Sequence, residues 1–179
     1  MSKCKVCRSD FQKRSMTHKC CSIECAKQYA QMEREKSVAR IAKQARQETR
    51  AQLEKLKTRQ EYLKEAQNEF NAFIRERDRD LPCISCGRHH SGSYHAGHYR
   101  SVGAAPHLRF NEQNVHKQCA PCNLYKSGNA IEYRIGLVQR IGQESVETIE
   151  TDSTIRKWTI QDAKDIKAHY KQKLKDLKA

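Results

Sequence analysis

Two CxxC pairs, Cys83/Cys86 and Cys119/Cys122, bracket the run CISCGRHHSGSYHAGHYRSVGAAPHLRFNEQNVHKQCAPC and constrain this chain more than any other feature. Four thiols at that spacing close a tetrahedral zinc site, and a metal staple lets a short, polar segment fold without a large apolar core. The chain needs such help: hydrophobic residues make up only 37% of it and charged residues 31%. Pro82 ends any helix arriving from the N-terminal side. Between the pairs, residues 93–99 and 107–116 read as two strands of a hairpin joined by the Gly- and Pro-containing loop 101–106, and PCNLYKSGN reads as a helix start.

A second cysteine group opens the chain. Cys4 and Cys7 form a CxxC, and Cys21 and Cys25 follow in CCSIEC, so these four are the expected ligands of a further zinc, with Cys20 able to replace Cys21. Ser22 is the expected N-cap of the helix that follows. No apolar leader or run of about 20 apolar residues occurs, so the expected location is the cytoplasm, where thiols stay reduced, with no membrane partner.

Residues 26–80 hold no Pro or Gly up to Arg79 and are rich in Ala, Gln, Glu, Lys and Arg, which predicts one long helix or two with a break near Thr58. Leu53, Leu56, Leu63, Phe70, Phe73 and Ile74 make an apolar stripe along its second half. After residue 129, helices are expected at 130–140, ended by Gly142, at 144–149, and from Thr159 onward, with Asp162 as capping-box relative and Trp158 as a core anchor. The predicted architecture is α+β and mostly helical: a zinc finger (1–25), a long basic helical arm (26–80), a zinc-stapled core (81–129) and C-terminal helices (130–179). The formal net charge of +14 favours a polyanionic partner, nucleic acid first.

AGHY, NVHKQC and CNLYK place His98, Asn114 and Asn123 around the cysteine pairs. That pattern resembles the HNH, or ββα-metal, nuclease superfamily in a His–Asn–Asn form. The longer string from GHYRSVG to LYKSGN, with EYRIGLVQRIG after it, resembles the NinG (Rap) recombination proteins of lambdoid phages. The resemblance implies a structure-specific DNA endonuclease acting on branched recombination intermediates, Holliday junctions and displacement loops among them. It implies His98 as general base, Asn114 as the residue that holds the loop and orients it, Asn123 as a ligand of a catalytic Mg²⁺ or Mn²⁺, and Lys126 as a phosphate contact. Arg100 and Arg109 join Lys126 as candidate DNA contacts. The superfamily places an Asp or His metal ligand immediately before the base, where this chain has Gly97; His95, or else His116, is then the candidate second ligand. His89, His90 and His107 match no motif. One such site per chain, and paired cuts across a junction, imply a homodimer. The alternative expectation is a zinc-dependent DNA-binding adaptor without catalysis.

Overall fold

A computed structural model describes residues 1–179, and the chain divides into two compact units, 1–57 and 58–179. The first unit opens with two short antiparallel strands, β1 (Ser2–Lys3) and β2 (Asp10–Phe11), and continues into α1 (Ile23–Leu56). Ser22 caps α1, its side chain accepting from the Cys25 N–H. None of the 34 residues of α1 is buried, so propensity and surface pairs such as Lys36–Glu33 (3.0 Å) and Gln31–Glu35 (3.1 Å) hold it. Leu53 and Leu56, expected on the apolar stripe, are exposed.

The helical pattern breaks at Lys57, which is extended, and Thr58 starts α2 (Arg59–Arg77) with a full capping box to Glu61. Such a box contributes about 1 kcal/mol and fixes the register of the helix start. Leu63, Phe70, Phe73 and Ile74 are buried as expected, together with Tyr62 and Ala66. They pack against α5 (Ile160–Leu177), which Thr159 and Asp162 cap in the same way. Tyr170 of α5 meets Phe70 edge-on with ring centroids at 4.8 Å. Trp158 is buried against Phe110, and its Nε1 donates to the Pro106 carbonyl at 2.8 Å. Between these helices in sequence lie the hairpin β3 (Tyr94–His98) and β4 (Val115–Cys119), then α3 (Ala130–Ile141) and α4 (Gln143–Thr151), separated by Gly142 at φ +83°.

The fold is thus mostly helical α+β with two small sheets. The second hairpin strand differs from expectation: residues 107–114 are not extended, and the strand is Val115–Cys119. Pro106 starts a 3₁₀ turn over Pro106–Leu108, and the Asn111 side chain accepts from the Gln113 and Asn114 N–H groups at 2.8 and 3.2 Å. These local bonds take the donors that a strand would offer to a ladder.

The hairpin has two dissimilar faces. Register pairs Gly97 with His116 and His98 with Val115. His98, Ala96 and Val115 therefore share one face, and Ala96 and Val115 join the core built on α2. His95, Gly97, His116 and Gln118 share the other, where Tyr133 of α3 donates its hydroxyl to the Gly97 carbonyl at 2.7 Å.

Candidate functional site

The Sγ atoms of Cys83, Cys86, Cys119 and Cys122 all lie within 4.8 Å of one another. A tetrahedron with metal–sulfur bonds of about 2.3 Å has sulfur–sulfur edges of about 3.8 Å, and Cys86 and Cys119 stand 3.9 Å apart. Three elements converge here. Cys83 and Cys86 sit on a turn closed by Gly87 at φ +65°, Cys119 ends β4, and Cys122 lies in the π-helical turn Pro121–Tyr125. Burial opposes ionisation of Cys83, but N–H donors from Cys86, Cys119 and Ser85 outweigh it and hold the thiol at about 7. Burial pushes the Cys119 thiol up to about 12 and raises that of Cys122. His90, which matched no motif, places Nε2 3.2 Å from the Cys86 sulfur. It can donate to that sulfur and so steady the charge of a thiolate. The signal for it was present as a His four residues after the second cysteine.

The N-terminal group is Cys4, Cys7, Cys21 and Cys25, with Cys7–Cys21 at 3.4 Å and Cys21–Cys25 at 3.8 Å. Cys20 is buried and stands outside the group, so Cys21 completes the set that could hold a metal. Both clusters could hold a metal ion such as zinc; four sulfurs in each suit a closed structural site with no open position.

The remaining candidate residues fall into two local arrangements. In the first, the His98 Nε2 donates to the Arg109 carbonyl at 3.0 Å, which leaves Nδ1 with its lone pair. Burial, together with the nearby Arg109 guanidinium, lowers the His98 pKa against the opposing pull of the Arg109 carbonyl. Arg109 is itself held, its Nε donating to Gln67 Oε1 of α2 at 2.9 Å while the Gln67 amide donates to Asn71 at 2.8 Å. Asn114 is fully buried just beyond. Its Oδ1 accepts from Arg100 N at 2.8 Å, its Nδ2 donates to the carbonyls of Arg100 (3.0 Å) and Leu108 (3.3 Å), and its own carbonyl accepts from Tyr99 N at 2.8 Å. One side chain thus closes the 99–114 loop directly after His98.

In the second arrangement Asn123 and His95 meet, with the amide nitrogen 3.0 Å from His95 Nδ1. His116 does not join them. It is buried beside Tyr133 with Nδ1 unpartnered, and burial plus the Arg77 charge drives its pKa down to about 3. Lys126 is exposed at the end of the helical turn that carries Asn123. Arg100 is engaged elsewhere: one guanidinium nitrogen donates to the carbonyls of Ile149, Glu150 and Asp152 at the C-terminus of α4. His107 lies 3.5 Å from Asp152.

Gly97 has a steric cause. A Cβ there would stand 2.2 Å from Gln118 Oε1 and 3.0 Å from Gln118 Cβ. Gln118 cannot swing away, because its buried amide is tied to Ser85 Oγ (2.7 Å) and the Gly128 carbonyl (2.6 Å). The position faces α3 rather than a cleft, so a ligating side chain has no place there. Gly97→Asp is expected to lower stability by about 2 kcal/mol or more through overpacking and a buried carboxylate. Thermal unfolding checks it: an unchanged Tm would mean the position is open.

The whole chain, residues 1–179, matches the family model described as the bacteriophage lambda NinG protein. Over 123 residues it is 59% identical to protein ninG of Escherichia phage lambda, and 57% identical to those of Escherichia phage 933W and Salmonella phage P22. The matched part is 69% of this chain and 60–61% of each relative, so the chain spans about 60% of the length of these relatives. No solved structure matches. A family match from first residue to last, joined to relatives at more than half identity, places the chain in the NinG family of phage proteins.

Proposed function

We propose that this protein is a metal-dependent DNA endonuclease of the HNH type, cutting branched recombination intermediates as a homodimer. The observation that carries the reading is His98: a half-buried imidazole on a cysteine-stapled hairpin, with one nitrogen fixed on a carbonyl and the other free to take a proton. A phosphodiester resists attack because its negative charge repels nucleophiles, so cutting it needs an activated water and a site for the charge on the leaving oxygen. His98 Nδ1 removes the proton from water. The hydroxide adds to phosphorus in line with the 3′ oxygen, the P–O3′ bond breaks, and the leaving oxygen takes a proton from solvent. Asn123 and His95 would hold a divalent cation on the hairpin face opposite His98, where it would supply positive charge to the DNA backbone rather than to the water that His98 activates. One amide oxygen and one imidazole form a donor set closer to the preferences of Mn²⁺ than of Mg²⁺. Asn114 fixes the backbone after His98, while Arg109, lying beside it, and Lys126 are the cations available to phosphate.

The preference for branched DNA rests on the family resemblance, and the dimer on the need for two cuts and on the unburied length of α1. The test is cleavage mapping on a four-way junction and on linear duplex with Mn²⁺ or Mg²⁺, alongside the mass in solution. Expected are paired nicks near the branch point, little cutting of linear duplex, and a species of twice 20.8 kDa. Binding without nicking under either ion would instead make the protein a DNA-binding adaptor.

A further inference from the structure

The N-terminal unit carries an open groove of about 690 Å³ between the cysteine knuckle and the start of α1. That volume is within the roughly 300–1,000 Å³ typical of small-molecule sites. Its lining combines three rings, Phe11, His18 and Tyr29, with two cations, Arg14 and Lys19. Two of the rings are held in place. Phe11 and His18 meet edge-on with centroids 5.1 Å apart, and His18 Nδ1 accepts from the Arg14 N–H at 3.2 Å. With Nδ1 an acceptor, the neutral ring carries its proton on Nε2 and has a donor left for a ligand. Lys19 places its ammonium 5.5 Å from the centre of the Tyr29 ring. The surroundings are cationic: residues 1–25 hold six Lys or Arg against one Asp and one Glu.

Duplex DNA keeps its bases stacked inside and offers a groove like this only phosphates. Aromatic rings beside paired cations suit a ligand with a flat π-face and an attached anion. We infer that the groove binds an unpaired nucleotide of a DNA single strand, the base against Tyr29 and the Phe11–His18 pair and the phosphate against Arg14 and Lys19. The choice of DNA rests on the proposed function, but the inference requires no cleavage.

The experiment uses the full zinc-loaded chain without Mg²⁺ or Mn²⁺, so that binding is read and cutting is not. Fluorescence anisotropy is followed with a dT strand, the same strand with abasic sites, an rU strand and a duplex of equal length. The expected order is the dT strand tightest, with the abasic strand about tenfold weaker. Tyr29→Ala is expected to cost about tenfold on the dT strand and little on the abasic strand or the duplex, whereas Tyr29→Phe restores the affinity. Lys19→Ala weakens the dT and abasic strands alike and lowers the salt slope by about 0.7. Zinc content and helical circular dichroism report whether each variant folds. Three results overturn the inference: equal affinity for dT and abasic strands, wild-type affinity of a folded Tyr29→Ala, or tighter binding of the rU strand. These affinities are read without cutting, so loss of the dT preference in a protein that still nicks junctions overturns this inference alone, and its persistence in a protein that never nicks overturns only the nuclease reading.

Discussion

Replacing His98 with alanine is expected to slow cleavage of a four-way junction by about 10²–10⁴-fold, while zinc content and junction affinity stay at wild-type levels. The magnitude is that of a removed general base. The selectivity follows from position: His98 is no member of either cysteine cluster, and although its imidazole donates to the Arg109 carbonyl of the loop beyond it, Asn114 closes that loop with three further side-chain bonds. The pH profile carries an independent signature. Burial and the Arg109 guanidinium put the His98 pKa below the ordinary 6.5. The base form is the neutral ring, so the rate should be level above pH 6.5 and fall as pH drops through that lowered value. In Arg109→Gln the nearby charge is gone and the fall should begin at higher pH. Cleavage by a folded His98→Ala at the wild-type rate would remove His98 from the chemistry.

Much of this architecture was legible in the sequence where local chemistry decides it. Ser22, Thr58 and Thr159 each offer a side-chain acceptor at the head of a helical pattern, and all three are N-caps. Gly142 ends α3 because its positive φ suits a residue without a Cβ. Cysteine spacing alone grouped seven of the eight cluster members and left Cys20 open as an alternative to Cys21. What remained hidden depends on side chains that meet across the fold. Asn111 turns the chain where alternation suggested a strand, and an Asx bond is not visible in hydropathy. Gly97 looked like a missing ligand, but its reason lies in Gln118, 21 positions on, and in Tyr133 of α3. Arg100 resembles any surface arginine until α4 is seen to end against it. The pairing of His95 with Asn123 needed the staple that brings β3 beside the 121–125 turn.

Stripping the metal from Cys83, Cys86, Cys119 and Cys122 is expected to have the largest effect on structure. Binding of structural zinc by finger peptides is worth about 10–16 kcal/mol, comparable to the whole stability of a domain. The hairpin has two strands of five residues each, and a lone hairpin of that size is marginal in water. The core between α2 and α5 contains no cysteine. Chelation or Cys119→Ser should therefore fray the hairpin and the 121–125 turn and abolish cleavage, while much of the helical signal from α2 and α5 survives. Amide exchange resolves the two regions. Affinity for the metal should also depend on pH with a definite sign. Ligation needs thiolates, yet in the metal-free chain burial holds Cys119 near 12 and raises Cys122, so near neutrality at least these two must lose protons on binding. Zinc affinity should then rise by about 100-fold per pH unit near neutrality and fall as pH falls. Competition with a chelator of known pH dependence measures the slope; a flat profile, or full hairpin protection in the chelated protein, would show that packing alone holds this region together.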